Sequence, residues 1–318
     1  MAQTMVFPEE KVELSTDRSI YITGEKIQFS AFVLYPMGTG PIDVSKVLYV
    51  ELITPEGSRI SGGKYPVVHS GSHGCLQIPS EVLTGIYYMK SYTRSMRNAP
   101  SGEYHFTRVK IINPDNTQVL ATNGNQEEHQ TTSPILEENT AEDSIHITVK
   151  KDTYTTREEV EIEISVIKRP ANDAQLCLTV IPENSVQKTT LLNSIDQPSQ
   201  SKGTYMPETR GVSLSGSLID IATGNSLAGR KVNLSIIGDR DIMVTRTDST
   251  GSFFFALPDY EGNREIFLCA EDIPGGTTKK YVDNDFCPRS VSLSTPAYSM
   301  RPEEAQLAYR LAVNHKIQ

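Results

Sequence analysis

His69-Ser70-Gly71-Ser72-His73-Gly74-Cys75 gathers two histidines and a cysteine within one short run. A zinc site built on it would need a further ligand and a rigid spacing such as Cys-x-x-Cys, which is absent. A serine or cysteine nucleophile there would lack the strand–turn–helix frame that exposes such a group. The run therefore reads as a glycine-rich hairpin loop. Tyr281-Val282-Asp283-Asn284-Asp285-Phe286 offers oxygens to calcium but lacks the glycine and distal Glu of a calcium loop, so it reads as a polar turn. Tyr87, Tyr88 and Tyr92 lie beside Met89, Lys90 and Arg94. Strand alternation places Tyr88 and Tyr92 on one face and Tyr87 on the other. An exposed tyrosine face would stack on a sugar or a peptide, and half-buried sandwich tyrosines are the competing reading. There is no phosphate loop, dinucleotide fingerprint or His-Glu-x-x-His. No catalytic residue, metal ligand or cofactor is expected, and enzymatic function has no support.

The 318 residues carry 30 Lys and Arg against 39 Asp and Glu, a net charge of −9, which argues against nucleic-acid partners. Between Ile111 and Val149 there is no Lys or Arg, but Asp115, Glu127, Glu128, Glu137, Glu138, Glu142 and Asp143 are present. That stretch holds most of the excess charge and reads as a solvated linker over 115–143. No apolar run reaches the roughly 20 residues of a transmembrane helix, and the opening Met1-Ala2-Gln3-Thr4 leads to the expectation of no signal peptide in these residues. Trp is absent, which weakens any tryptophan platform for sugars. The four cysteines, Cys75, Cys177, Cys269 and Cys287, are too few for a disulfide scaffold. Cys177 and Cys269 lie in apolar strand patterns and read as buried free thiols, with a Cys269–Cys287 bridge as the alternative.

The elements that must position these groups are strands. Lys26–Leu34 and Val160–Val166 alternate with period two, and turn clusters such as Pro55-Glu56-Gly57, Ser61-Gly62-Gly63 and Asp248-Ser249-Thr250-Gly251 punctuate the chain. Such spacing predicts sandwiches or barrels. One helix is expected, opened by Pro302-Glu303-Glu304, with Leu307, Ala308, Leu311 and Val313 as its apolar face. Sliding the chain by 133 residues reveals a repeat in which Tyr21 meets Tyr154, Glu25 meets Glu158, and an alternating strand follows in register.

"STDRSIYITGEKIQFSAFVLYP" resembles the opening of the second macroglobulin domain of the α2-macroglobulin family, with Tyr21, Gly24 and Glu25 on its Tyr-x-x-Gly-Glu turn. In the second copy Tyr154 and Glu158 match, but Arg157 replaces the glycine. "VSLSGSLIDIATGNSLAGRKVNLS…TRTDSTGSFFFALP" resembles the carboxypeptidase regulatory-like domain, a transthyretin-like sandwich, through Gly216, Asp220, Thr223, Gly224, Leu227, Gly229, Val232, Thr247, Asp248, Gly251 and Phe253. The combination is similar to envelope proteins of Gram-negative gut bacteria, in which such domains precede the plug region of TonB-dependent-type outer-membrane receptors. The resemblance implies an all-β chain: Ig-like, macroglobulin-type sandwiches plus a transthyretin-like sandwich, with a short C-terminal helix. The expected divisions are a first sandwich at 8–114, the linker 115–143, and a second macroglobulin-like sandwich at 144–207, with 277–298 as a candidate to complete it. The regulatory-like domain follows at 208–276. A connector helix at 299–318 would have nothing further to pack on, as in the N-terminal portion of a longer protein.

The resemblance implies a non-catalytic binding or spacer module of an outer-membrane receptor-type assembly, extracytoplasmic, in the periplasm or at the outer membrane. Its partner would be an envelope protein, with a glycan or peptide as further ligands, and it would bind no nucleic acid. The thioester tetrad of trapping macroglobulins is absent from these residues, which leaves a non-covalent endopeptidase inhibitor and a glycan-binding sandwich as alternatives. Asp143-Ser144-Ile145 and Asp248-Ser249-Thr250 resemble the tripeptides such bacteria O-glycosylate, which makes Ser144 and Ser249 candidates.

Overall fold

The computed structural model describes residues 9–35, 44–121, 145–166, 178–182, 185, 204–238, 240, 242–260, 262–271, 277–289, 291–293 and 295–317. Eight strands build the first sandwich: β1 (Lys11–Thr16), β2 (Ile20–Ile22), β3 (Lys26–Leu34), β4 (Val47–Ile53), β5 (Arg59–Pro66), β6 (Gly71–Gln77), β7 (Gly85–Thr93) and β8 (His105–Ile112). They form a three-stranded sheet β1-β3-β6 and a five-stranded sheet β2-β8-β7-β4-β5. In β3 the alternation seen in the sequence buries Ile27, Phe29, Ala31 and Val33, which share one core with Leu48, Val50, Leu52, Tyr87 and Met89. Each fully buried aliphatic or aromatic chain there contributes about 1.5–3 kcal/mol. β4 and β7 differ from β3 because every residue in them is buried, so both faces of these central strands are covered.

Two expected loops are strand. Ser61-Gly62-Gly63 lies inside β5, and the run from Gly71 to Cys75 belongs to β6, paired with β3. The turn sits just before, where His69 and Ser70 hold φ of 49° and 66°. Glycine in β5 makes room rather than a turn. A Cβ on Gly62 would lie 3.1 Å from the Phe286 ring, and one on Gly63 would lie 2.7 Å from the Tyr65 hydroxyl.

Residues 125–178 form a separate compact unit. Within it β9 (Ile145–Val149) pairs antiparallel with β10 (Ile162–Val166), with Ile147 opposite Ile164. Ile147 is 66% exposed and Ile164 38%.

Six more strands make the last sandwich: β11 (Ser213–Asp220), β12 (Lys231–Ile236), β13 (Ile242–Arg246), β14 (Ser252–Ala256), β15 (Ile266–Ala270) and β16 (Thr278–Val282). Sheets β14-β11-β16 and β13-β12-β15 enclose Leu218, Val232, Leu234, Ile236, Phe253 and Phe255. Gly216 is fixed by close approach, since a Cβ there would sit 2.1 Å from the Tyr281 carbonyl. The expectation that 277–298 completes the second macroglobulin-like unit is corrected. Residues 278–282 pair with β11, while Phe286, Cys287, Val291 and Leu293 join the core of the first sandwich. The cysteine expectations also change. Cys75, Cys269 and Cys287 are free, so Cys269 and Cys287 are not bridged. Cys287 is buried, but Cys269 pairs with Asn233 on the outward register of β15 and is exposed. Cys177 lies outside the described residues.

α1 (Pro302–Ile317) is the expected helix, but it is not without a neighbour. Leu307, Ala308 and Leu311 pack on Ile20, Ile22 and Ile112 of β2 and β8. Val313 falls off this stripe and is exposed. Lys110 Nζ lies 2.8 Å from Glu304, whose carboxylate also accepts the Arg301 main-chain N–H at 3.0 Å. Burial alone would raise the Glu304 pKa, yet the hydrogen bonds from Lys110 and Arg301 outweigh it and hold the group below its ordinary value.

Candidate functional site

A gathering of buried polar side chains lies on the outer face of the five-stranded sheet. Ladder register puts Tyr49 opposite Tyr92, Glu51 opposite Lys90, and Ile53 opposite Tyr88, so these six side chains share one face, away from the sandwich interior. Glu51 and Lys90 are 4% and 3% exposed, with Lys90 Nζ 3.1 Å from the carboxylate. The Tyr92 hydroxyl donates to Glu51 at 2.8 Å and accepts the Cys287 main-chain N–H at 2.7 Å. Lys90 Nζ also stands over the rings of Tyr92 and Tyr104, 4.9 and 5.5 Å from their centroids. Burial, and then the neighbouring Glu51 carboxylate, push the Tyr92 hydroxyl far above its ordinary pKa.

A segment following β16 lies across this face. Asp285 pairs with Lys64 at 2.6 Å, and its carbonyl accepts from Arg97 at 3.2 Å. Phe286 meets Tyr49 edge-on at 5.7 Å and lies under the Arg59 guanidinium at 4.4 Å. Cys287 Sγ is 3.5 Å from the Tyr104 hydroxyl, Leu293 N donates to Pro55 O at 2.9 Å, and the Tyr88 hydroxyl is 3.0 Å from Thr295 Oγ1. Cys287, Val291, Leu293 and Thr295 are buried while Pro288 and Ser292 are exposed, so the segment is read with the period two of an extended chain.

A second strap leads into the last sandwich. Glu208 accepts from the Tyr49 hydroxyl at 2.7 Å and lies 3.8 Å from Arg94, and Asn98 binds the Tyr205 carbonyl at 2.7 Å. Burial pushes the Glu208 carboxyl above its ordinary pKa, against the opposing effect of the Tyr49 hydrogen bond.

An exposed tyrosine patch is therefore corrected. Tyr87, Tyr88 and Tyr92 are 1%, 0% and 0% exposed. Tyr87 faces the sandwich interior, donates to Leu83 O at 2.8 Å, and has its pKa pushed by burial to about 12. Tyr88 and Tyr92 do face outward, but they touch a peptide belonging to their own chain. His73 and Cys75 do not assemble a metal site, since Gln28 and Ser30 are their ladder partners on β3. No cluster of three or more metal-ligating groups exists among the described residues. The acids weighed for calcium are engaged elsewhere, Asp283 with Ser215 Oγ at 2.7 Å and Asp285 with Lys64.

Ser144 lies outside the described residues. Ser249 is exposed in a turn whose geometry depends on Asp248. That carboxylate accepts from Thr250 Oγ1 at 2.6 Å, Thr250 N at 2.8 Å and Ser252 N at 3.0 Å, which lowers its pKa. Gly251 follows at φ +78°. Thr223 donates to Asp220 at 2.7 Å and Gly224 closes the preceding turn at φ +70°. These motif residues build turns.

No family model matches the chain, and no curated protein matches it. Among solved structures it is similar to native Escherichia coli α2-macroglobulin, with 11% identity and a TM-score of 0.26, over 87% of this chain and 14% of that one. Salmonella α2-macroglobulin reacted with methylamine gives 10% identity and a TM-score of 0.27, over 87% and 23%. Dimeric latent PorU of Porphyromonas gingivalis gives 11% and 0.24, over 86% and 34%. The chain thus spans less than a quarter of either macroglobulin, and likenesses this low set neither activity nor partner.

Sequence reasoning passed over Glu51 and Glu208, and named Lys90 and Phe286 without assigning them a place in the site. A signal for Glu51 and Lys90 was present. Each is a lone charge inside an apolar strand pattern, Val47–Ile53 and Gly85–Thr93, and a charge in that position needs a partner across the ladder.

Proposed function

We propose that this chain is a non-catalytic, extracytoplasmic binding and spacer module of a cell-envelope protein, belonging to an outer-membrane, TonB-dependent-type uptake assembly. Sandwich edges and loops present its surface to a protein partner, because unpaired N–H and C=O groups at an edge accept a further strand. The observation that carries the non-catalytic part is the fate of the polar groups. Glu51, Lys90, Tyr92 and Cys287 are committed to one another and to a chain segment, leaving none of them open to a substrate cleft. No helix among the described residues is long and apolar enough to cross a membrane. In this reading the two straps, around Glu208 and over 285–298, fix the last sandwich to the first, and the module works as a spacer of set geometry.

The test is an immunoblot of fractionated native cells with an antibody against this chain. A band well above the 35.2 kDa of these residues, in the outer-membrane fraction, is the expected result. A cytosolic band would contradict the envelope reading.

A further inference from the structure

The last sandwich is closed at one side and open at the other. β13 and β14 run beside each other, joined by the turn at 247–251. At the opposite side stand β15 and β16, each the last strand of its sheet. Register puts Ile266 of β15 opposite Ile236, and Val282 of β16 opposite Gly216, so both side chains belong to the inward faces. They are nonetheless 40% and 54% exposed, whereas Val232, Leu234 and Leu218 in the same interior are sealed from solvent. The mouth at β15 and β16 therefore leaves core-facing apolar surface uncovered.

The two edges are guarded differently. A free strand edge invites pairing, and folded proteins commonly blunt it with lysine, proline or a bulge. β16 carries Lys279 and Lys280, with Lys280 on the inward register opposite Leu218. β15 reads Ile-Phe-Leu-Cys-Ala, with no charge and no proline, and its register with β12 runs without a bulge. The Ile237 N–H donates to Glu265 O and the Glu271 N–H to Lys231 O, so the odd-numbered residues of this stretch bond β12. The main-chain groups of Ile266 and Leu268 point the other way and have no partner among the described residues. Phe267 stands on the outward face beside them, 59% exposed.

Charge says what pairs there. Glu265 and Glu271 bracket the strand, on the same outward face as Phe267 and Cys269. Both are exposed, and neither has an ion-pair partner among the described residues. A second copy of the strand, laid in full register either parallel or antiparallel, would set glutamate against glutamate at both ends, which is destabilising. A strand with a cation at each end meets both carboxylates. We propose that the free edge of β15 is a strand-addition site for an extended segment of a partner polypeptide, with a lysine or arginine opposite each of Glu265 and Glu271 and aliphatic side chains opposite Ile266 and Leu268. The aliphatic side chains cover the mouth beside Val282, while the added main chain takes up the free groups of Ile266 and Leu268. This names the edge used by the binding module proposed above and rests on that reading.

The test is amide hydrogen exchange in the intact chain with the peptide Lys-Val-Thr-Val-Thr-Val-Lys, blocked at both ends. The expected result is new protection at Ile266 and Leu268, while Phe267 and Cys269, already bonded to β12, change little. A peptide with glutamate in place of both lysines binds about tenfold more weakly, and the chain carrying Glu265→Lys and Glu271→Lys reverses that order. Phe267→Lys, at an exposed side chain outside the core, gives β15 the charge that guards β16 and abolishes the protection while circular dichroism is unchanged. Binding without protection at these two amides, equal binding of the two peptides, or no binding would overturn the proposal. So would self-association of the chain that Phe267→Lys removes, since the occupant would then be a second copy. No binding together with the outer-membrane band expected above would remove this edge and leave the module reading. A cytosolic band together with peptide protection would remove the location and leave the edge.

Discussion

The chain builds the same tyrosine turn twice, 133 residues apart, in different surroundings. In the first copy the Tyr21 hydroxyl donates to Asp17 at 2.6 Å and accepts the Arg18 N–H at 3.0 Å, and Glu25 accepts the Ile22 N–H at 2.9 Å. In the second, the Tyr154 hydroxyl accepts the Lys151 N–H at 3.2 Å and Glu158 accepts the Thr155 N–H at 2.8 Å. A cation stands over each ring, Arg18 at 4.7 Å and Lys151 at 5.7 Å. Gly24 has φ +84°, and Arg157 takes the equivalent place at φ +65°. The turn thus tolerates a side chain at its left-handed position, and in the first copy a side chain there would meet a neighbour. A Cβ on Gly24 would lie 2.8 Å from Nε2 of His315 on α1. Local hydrogen bonds set the shape of both turns, while packing decides which residues the shape permits.

Substitutions in the two copies put that contrast to the test. The largest effect is expected where the first copy's sheet is most tightly covered. Lys90→Met takes the nearer cation from buried Glu51, leaving it the Tyr92 hydroxyl and Arg59 at 4.0 Å, and should cost about 3 kcal/mol in urea unfolding, a loss with no counterpart on the exposed β9–β10 ribbon. Gly24→Ala combines a left-handed φ with the His315 contact and should cost about 2 kcal/mol. A loss much under 1 kcal/mol would mean that the exposed His315 ring swings aside. Tyr21→Phe removes a buried hydroxyl with three partners and should cost about 1–2 kcal/mol, whereas Tyr154→Phe, at a half-exposed site, should be indistinguishable from the parent. Arg157→Gly relieves the left-handed backbone and should raise the stability of its own unit by up to about 1 kcal/mol, the opposite sign to Gly24→Ala.

The smallest effects are on pH dependence. Glu304 has a lowered folded-state pKa, so its stabilisation of α1 is fully present above the unfolded value of about 4.3 and is lost as pH falls through the lower folded value. Glu208 has a raised one, so protonation favours its docked state, and stability contributed there declines as pH rises through the folded value. Glu304→Gln and Glu208→Gln should therefore alter the acid limb of thermal unfolding in opposite directions.

How much of this was legible in the sequence depends on which forces act locally. The alternation of β3 and the repeat of Tyr21 and Glu25 at Tyr154 and Glu158 are local patterns, and they read directly. The helix at Pro302 was legible too, but its docking was not. Leu307 and Leu311 announce an apolar stripe without saying that β2, three residues long, supplies the surface. Tyr87, Tyr88 and Tyr92 were legible as a strand with two faces. The burial of Tyr88 and Tyr92 depends on the segment after β16, nearly 200 positions away, and no local period encodes such a contact. Gly62 and Gly63 misled for the same reason, since their small size answers to the rings of Phe286 and Tyr65 rather than to a turn.

The measurement that tests most directly whether cover, rather than local motif, sets the behaviour of each copy is amide hydrogen exchange at Ile22 and Thr155 in the intact chain. Both N–H groups donate to an equivalent glutamate at nearly the same distance. Exchange at Ile22 is expected to be slower by at least about a hundredfold, because its strand opens only with the sheet and α1. Equal protection at the two amides would contradict it.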